Sequence, residues 1–534
     1  MTNEKFLYDK KIKEDADFNI WSAFPGIYNF GMSSLGFMSI FKTLDLKENY
    51  FVERIFADTD LHNTQLHTKE VDVMCFSMSF EIDFLTIFKI MEKFGIPLKS
   101  KDRTEEHPII FVGGPVVSAN PEPFCEFFDV IMIGDGENIV ELMECLRLNK
   151  DLPKAERLKK LDEMGIVYVP KFTEYDPKTR KVTKNGQDFE IKKICSNLPQ
   201  CVSTPILSEN SYFSNTYIIE LVRGCPQRCG FCLASYLNLP IRFASYEQII
   251  ENIDFGLQYT NKIAFLGALI SSHPRFDDIC KYIYDKIQNG ENIELSVSSL
   301  RADSISPQVV QTLVAAGQKH TTIAIEAGSD RLRKVINKNL TEEQICETVK
   351  IAKENGLKGL KIYAMIGLPT ETQKDIKEMV DLAKKLKKEF KGFDLTFSFA
   401  SFVPKAHTPF EFCEREDTKK LEKKYEYIKK QFHSLGIKAR CSSVKWDYIQ
   451  ALFSRGDRRL NDYAQRVYND VGNLGSFKQI YKEMKKQKLL PDGDYFARRQ
   501  LSFDETNPWD FIKTFVPKED LIKENKRLLE ENGR

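Results

Sequence analysis

The 534-residue sequence predicts an α/β protein: a doubly wound N-terminal domain, then a β/α barrel, then a mainly helical C-terminal region. Three observations lead there. Short apolar runs alternate with helical patterns up to about residue 150, six further runs do so from residue 216, and beyond Pro404 only helical patterns continue. Nearly uninterrupted apolar runs of strand length mark strands covered on both faces, as in a parallel sheet between helices.

The front domain is expected over 1–150, with strands in "YFVERIFA", "VDVMCFS", "IIFVGG" and "DVIMIGDGE". After the second, Phe84, Ile87, Phe88 and Met91 repeat at helical spacing, and Gly95 supplies a left-handed stop. Polar residues, prolines and the turn-rich "YDPKTRKVTKNG" mark 151–215 as a connecting segment with a β-hairpin. The barrel is expected over 216–404, its strands in "TYIIELVRG", "KIAFLGAL", "ELSVSS", "HTTIAIEAG", "GLKIYAMIGLP" and "LTFSFASFVP". Chemistry in such a barrel sits at the C-terminal strand ends. Over 405–534 no strand is expected. There Leu421, Tyr425, Ile428, Phe432 and Leu435 form one helical stripe, with lysines on the other faces.

Charge excludes some partners. Seventy-eight basic against 77 acidic residues leave no global field for nucleic acid or an anionic bilayer. The N-terminus has no apolar core for export, and no run of about 18 apolar residues could span a membrane, so a cytoplasmic protein is expected. Nine of the twelve cysteines are scattered without a disulfide framework and read as reduced core thiols.

The other three are concentrated in "IIELVRGCPQRCGFCLAS", as Cys225, Cys229 and Cys232, just past the first barrel strand. Structural zinc takes four protein ligands, and no fourth Cys or His lies at finger spacing. A 4Fe-4S cubane held by three thiolates keeps one iron open for a chelating ligand.

This run resembles the C-x3-C-x-aromatic-C signature of the radical SAM superfamily, with Phe231 as the aromatic residue. The resemblance implies that the three cysteines are the metal ligands of a 4Fe-4S cluster in a radical SAM, partial TIM barrel. It also implies that the open iron binds S-adenosylmethionine (SAM) and that an electron cleaves it to methionine and a 5′-deoxyadenosyl radical. The electron donor would be a flavodoxin or ferredoxin. "FLGALI" is similar to the family's Gly-Gly-Glu element, keeping only Gly267 and lacking the Glu. "IEAGSDRLRKVINKNLT" resembles the fourth-strand segment, where Glu326 and Ser329 would face the ribose or carboxylate, or else form a helix cap with a salt bridge. "MIGLPTET" resembles the turn whose backbone packs near adenine, with Gly367 in it, or simply a tight turn.

The front domain resembles the cobalamin-binding-like, Rossmann-type domain that precedes the barrel in one branch of that superfamily. The match rests on Ser77 to Ser79, Gly113-Gly114-Pro115, Pro121-Glu122 and Gly134-Asp135-Gly136-Glu137. Ser77, Ser79, Gly113 and Gly114 are thereby expected at a cofactor, and Asp135 to Glu137 at the positive end of the next helix. No Asp-x-His-x-x-Gly follows the first strand; "DLHNTQ" follows the second and lacks the glycine, so His62 is not taken as a ligand. Members of the branch bind cobalamin with or without such a His, and others keep the domain alone, so cobalamin is admitted and not required. "FVPKAHTPFE" is also similar to the methylthiotransferases, whose second cluster uses three N-terminal cysteines; Cys75, Cys125 and Cys145 read instead as core thiols.

The leading expectation is an enzyme that cleaves SAM reductively and functionalises an unactivated carbon, with methyl transfer if cobalamin is bound. The substrate, small molecule or macromolecule, is not identified. One alternative is modification of RNA or a ribosomal component, suggested by the lysine-rich stretch from Lys419 to Arg440 and by "SRGDRR". Another is a non-catalytic cobalamin or iron-sulfur sensor.

Overall fold

The computed structural model describes residues 3–10, 13–196 and 201–531. The front sheet runs in the order Tyr50–Ile55, Phe18–Ala23, Val73–Ser77, Ile109–Gly113, Val130–Met132, Val167–Tyr168. All neighbours are parallel except the last pair. The chain goes outward from Phe18–Ala23 to one side, then returns to Val73–Ser77 on the other. At such a switch point the flanking loops part and leave a crevice beyond the strand ends.

The expected helix forms as Phe84–Lys93, and Phe84, Ile87, Phe88 and Met91 are fully buried. Each contributes about 1.5–3 kcal/mol by leaving water. Gly95 stands at φ +68° just beyond its end. The opposite face of the sheet is covered by the helices Leu35–Asp45 and Ile139–Leu148.

Between the front domain and the barrel, the hairpin Glu174–Asp176 with Lys181–Thr183 is present. The segment expected as a connector also supplies the helix Lys154–Glu163 and the sixth front strand, Val167–Tyr168, so the front sheet extends past residue 150.

All six expected barrel strands form: Tyr217–Arg223, Lys262–Gly267, Glu294–Val297, His320–Glu326, Gly359–Ile366 and Asp394–Ser401. The third is interrupted at Ser298 and Ser299. Glu294–Val297 pairs with its predecessor, and Leu300–Arg301 continues beside His320–Glu326. Alternate residues such as Ile263, Phe265, Ile323, Ile325, Phe397 and Phe399 pack outward on the helices in one core.

The C-terminal region corrects the expectation that strands stop at Pro404. Lys438–Cys441 extends the barrel sheet in parallel beside Asp394–Ser401, and Ile512–Lys513 pairs with Ile191–Lys192. The first was invisible to hydropathy because two of its four residues are cations on the open face of the sheet. The helical stripe forms as expected on Thr418–Ser434, with Leu421, Tyr425, Ile428 and Phe432 buried. Beyond it the tail returns to the front domain. Phe453, on the helix Val444–Ser454, stacks on Phe124 at 5.2 Å and meets Phe84, so tail and front helix share one core.

The barrel exit carries a buried acid. Glu411 accepts hydrogen bonds from the His407 N–H (2.6 Å) and Trp509 Nε1 (3.1 Å). Burial, reinforced by Asp510, pushes its carboxyl from 4.5 up to about 8, and burial pushes His407 from 6.5 down to about 4. Above pH 6.5 the imidazole is neutral in both native and unfolded chains and drops out. Glu411 keeps its proton in the native chain up to about pH 8, whereas the unfolded chain has already released it. A raised native pKa gives stability that is full at low pH and lost as pH rises. The Glu411 contribution to the unfolding free energy should therefore fall by about 1.5 kcal/mol between pH 6.5 and 8, beside a smaller fall from the buried Glu371 carboxyl raised to about 7. Glu411→Gln should flatten that window in urea titrations; an unchanged slope would refute the assignment.

Candidate functional site

The first barrel strand delivers the chain to Gly224, whose φ of +86° turns it into the cysteine loop; a Cβ there would lie 2.7 Å from the Asn238 carbonyl oxygen. The loop is pinned by groups distant in sequence. Asn337 Nδ2 donates to the Gln227 and Arg228 carbonyls at 3.0 Å each. The Gly230 N–H donates to the Ile336 carbonyl (3.1 Å), and the Gly230 carbonyl accepts from the Phe410 N–H (3.0 Å). Tyr236 Oη donates to the Arg228 carbonyl at 3.0 Å. Gly230 lies so close beneath Phe410 and Leu528 that a Cβ would come within 2.8 and 2.9 Å of them.

Cys225 and Cys229 are buried and Cys232 is half-buried. Burial pushes Cys229 up to about 12, with Lys338 opposing and Cys232, Glu326 and Cys225 adding to the rise. Burial also raises Cys232, against the hydroxyl and amide of Ser235 and the amide of Ala234, which favour its thiolate. The thiols thus oppose one another's ionisation. The buried Ser235 hydroxyl has no well-formed hydrogen bond and stands toward Cys232.

Among the described residues no three His, Cys, Asp or Glu side chains converge where one metal ion could sit. A cubane asks for something else, since each thiolate binds a different iron. Three soft thiols, a hydroxyl and amides directed at sulfur, and Lys338 nearby fit an anionic iron–sulfur group better than a lone zinc.

Of the remaining barrel positions, only Glu326 is tied to this loop. Gly267 ends the second strand, where a Cβ would lie 2.8 Å from the Val222 carbonyl oxygen, so close strand approach requires a glycine. Glu326 ends the fourth strand at φ +66° and pairs with Lys338 Nζ at 3.3 Å, next to Cys229. Ser329 is buried, accepts from the Leu332 N–H (3.1 Å) as the cap of Asp330–Val335, and donates to Asp375. Its hydroxyl is committed to that cap. Gly367, at φ +72°, donates its N–H to Glu371 Oε1 (2.9 Å); a Cβ would strike Leu421 at 2.6 Å. Burial raises Glu371 to about 7, with Lys424 opposing.

At the C-terminal ends of the front strands lies a cavity of about 530 Å³, lined by Ser77, Ser79, Gly113 and Gly114. Gly114 stands at φ +109°, and a Cβ would lie 2.5 Å from the Met78 carbonyl oxygen. The far wall comes from the barrel: Glu220, Arg223 and Leu266, with Leu237 and Asn238 from just after the cysteine loop. Cys75 also lines the cavity, whereas Cys125 is buried on Glu122–Phe127 and Cys145 sits half-buried on Ile139–Leu148. His62 is exposed on the short turn Leu61–Asn63 and does not reach the cavity.

Asp135 and Glu137 open the next helical segment as expected, Asp135 before Gly136–Asn138 and Glu137 within it, but their carboxylates face the barrel. Glu137 pairs with Arg223 at 2.7 Å, and Asp135 pairs with Arg242 and stands 3.9 Å from Lys193. Against burial, Lys193, Arg242 and Arg223 hold the Asp135 carboxyl below its ordinary range. Against burial, Glu220, Glu137 and Asp135 keep Arg223 firmly charged. This network fastens the two domains beside the cavity. Sequence reasoning missed Arg223, Arg242, Lys193, Asn337 and Lys338, because each acts on a partner far along the chain.

Of the two basic features that suggested RNA, "SRGDRR" is largely internal, whereas Lys419, Lys420, Lys423, Lys429 and Lys430 of the lysine-rich helix are exposed. In "SRGDRR", Arg455 is fully buried and donates to the Phe496, Glu411 and Cys413 carbonyls, Arg458 pairs with buried Glu122 at 2.9 Å, and Arg459 pairs with Asp457. Lys424 is bound to Glu371 and Glu416.

Comparison with known proteins agrees with this architecture. A family model described as "Radical SAM proteins, N-terminal" matches residues 36–170, and one described as "Radical SAM superfamily" matches 219–383. An uncharacterized protein of Methanocaldococcus jannaschii is 29% identical over 83% of this chain and 88% of its own length. A tRNA-2-methylthio-N(6)-dimethylallyladenosine synthase of Desulforamulus reducens is 26% identical over 35% of this chain and 43% of its own. Among solved structures, the fold is similar to the cobalamin-dependent S-adenosylmethionine radical enzyme OxsB with aqua-cobalamin and S-adenosylmethionine bound. That match has 15% identity, covers 97% of this chain and 80% of that one, and has a TM-score of 0.54. The chain belongs to the radical SAM superfamily and is an enzyme with a cobalamin-binding-like domain in front of its radical SAM barrel.

Proposed function

We propose that Cys225, Cys229 and Cys232 hold a 4Fe-4S cluster, that SAM binds at its open iron, and that the front cavity takes cobalamin for methyl transfer to an unactivated carbon. When bound, these groups supply reductive SAM cleavage and methyl transfer, which no side chain can perform. One observation supports the cobalamin part above all. The cavity over Gly113 and Gly114 is closed on its far side by barrel residues Glu220, Arg223 and Leu266 and by Leu237–Asn238, five and six residues after the last cysteine. A planar ligand on the front strands would therefore face the barrel mouth.

The chain's own residues bind, orient and exclude water. Asn337 and the Phe410 amide fix the loop. Phe231, Met365, Phe402, Phe410 and Leu528 pack beside it, and a dry surround strengthens every electrostatic contact at the site. Glu326 and Lys338 place a paired charge at its rim. Among the described lining residues there is no histidine, so no side chain of the lining would supply an imidazole to a bound cobalamin.

The test is anaerobic purification with hydroxocobalamin and reconstitution with iron and sulfide. About four irons and one corrinoid per chain are expected, with dithionite-driven deoxyadenosine formation. Cluster and deoxyadenosine without corrinoid would remove the cobalamin part. A cluster without deoxyadenosine would favour the sensor. A salt-sensitive RNA complex would restore RNA modification.

A further inference from the structure

The inner face of the barrel sheet is bare. Parallel sheets are ordinarily covered on both sides, and β/α barrels usually fill their centre with layers of branched side chains. Here the outward residues are buried in the helical layer, whereas inward ones remain open: Leu266 is 41% and Tyr363 37% exposed, and Ser296 and Ala400 are exposed too.

The register aligns what this face presents. Ala324, Tyr363, Ser398 and Arg440 are direct neighbours across four strands, and Thr322, Lys361, Thr396 and Lys438 form the row beneath. Lys361 Nζ donates to Tyr363 Oη at 3.2 Å and lies 4.8 Å from its ring centre. Lys361, Lys438 and Arg440 have no carboxylate partner among the described residues. Above them the face turns apolar through Ala400 and Met365, and Met365 packs against the same apolar cluster as Phe231 of the cysteine loop. Tyr363 lies two residues below Met365, about 7 Å along the strand.

We infer that this face binds the substrate, and that the substrate is a small phosphomonoester: its phosphate on Lys361, Arg440 and the Tyr363 and Ser398 hydroxyls, its apolar carbon chain rising toward the cysteine loop. Three unpaired cations with hydroxyls between them suit a dianion better than a monocarboxylate, and the Arg440 fork matches phosphate oxygens. Inside a sheet face, such a site has room for a small molecule rather than a duplex. The inference rests on the proposed function, because it assigns this ligand the role of substrate.

The test uses the reconstituted full chain with octyl phosphate, and with octanol and octanoate as controls, by calorimetry and phosphorus NMR. Octyl phosphate should bind at least tenfold more tightly than either control. Lys361→Gln with Arg440→Gln should weaken it at least 30-fold, and Tyr363→Phe severalfold, with unfolding curves confirming intact variants. Equal affinity for the three ligands, or an unaffected double variant, overturns the inference. Wild-type deoxyadenosine formation is scored separately. If it occurs without phosphate binding, only this inference falls; if it is absent while octyl phosphate binds at these residues, the proposed function falls and the anion site stands.

Discussion

Cys225→Ala, Cys229→Ala and Cys232→Ala in one chain should abolish iron binding and lower deoxyadenosine formation by roughly a thousandfold or more, because the radical chemistry belongs to the cluster. The fold should survive. The loop is anchored by Asn337, Phe410 and Tyr236 through backbone carbonyls and amides, none of which needs a thiol. A buried thiol outside the loop is the control: Cys280, fully buried in the barrel's helical layer, should cost only stability as Cys280→Ala while iron stays. Asn337→Ala separates holding the loop from ligating the metal. It removes two hydrogen bonds at 3.0 Å and should leave iron bound but more readily lost to a chelator. Retention of full iron by the triple variant would overturn the ligand assignment.

What could be read from the sequence was what is encoded locally. Apolar runs of strand length marked four front strands and all six long barrel strands, because residues facing a helical layer leave little room for polar ones, while the central Phe18–Ala23 was not among them. The three cysteines were legible for a similar reason: they fall within eight consecutive residues. Legibility failed where a residue's partner is remote. Asp135 looked like the start of a helix, yet its carboxylate answers Arg242, 107 positions away. Lys438–Cys441 looked like the end of the lysine-rich helix reaching Arg440, because its cations face the open side of the sheet and only Ala439 and Cys441 pack on the core. Ser329 resembled a cofactor contact, and its sequence equally encoded the cap that forms. "SRGDRR" read as a basic surface because charge counts ignore burial, and its buried acid partner Glu122 lies more than 300 residues earlier.

That last pair carries a large expected effect on stability. Glu122 is fully buried, and its oxygens accept from Arg458 Nε (2.9 Å), Arg458 Nη2 (3.3 Å) and the Tyr168 hydroxyl. Arg458 Nη2 also reaches the Thr173 hydroxyl at 3.0 Å, so one side chain of the tail joins the front sheet's last strand to the segment after it. Removing the acid strands a mostly buried guanidinium, and Glu122→Ala should lose about 3–5 kcal/mol, as breaking a buried ion pair does. Arg458→Ala strands the carboxylate and should lose a similar amount. Replacing both by Met fills the volume without charge and should lose far less than the two single losses combined, because the attraction of the pair mainly offsets its own desolvation. Urea unfolding of the two single and the double variant measures that coupling. Additive losses would mean that the pair contributes no coupling; strong coupling, together with undiminished deoxyadenosine formation in the double variant, would place Arg458 in the architecture that holds the tail to the front domain and leave "SRGDRR" with no role in binding nucleic acid.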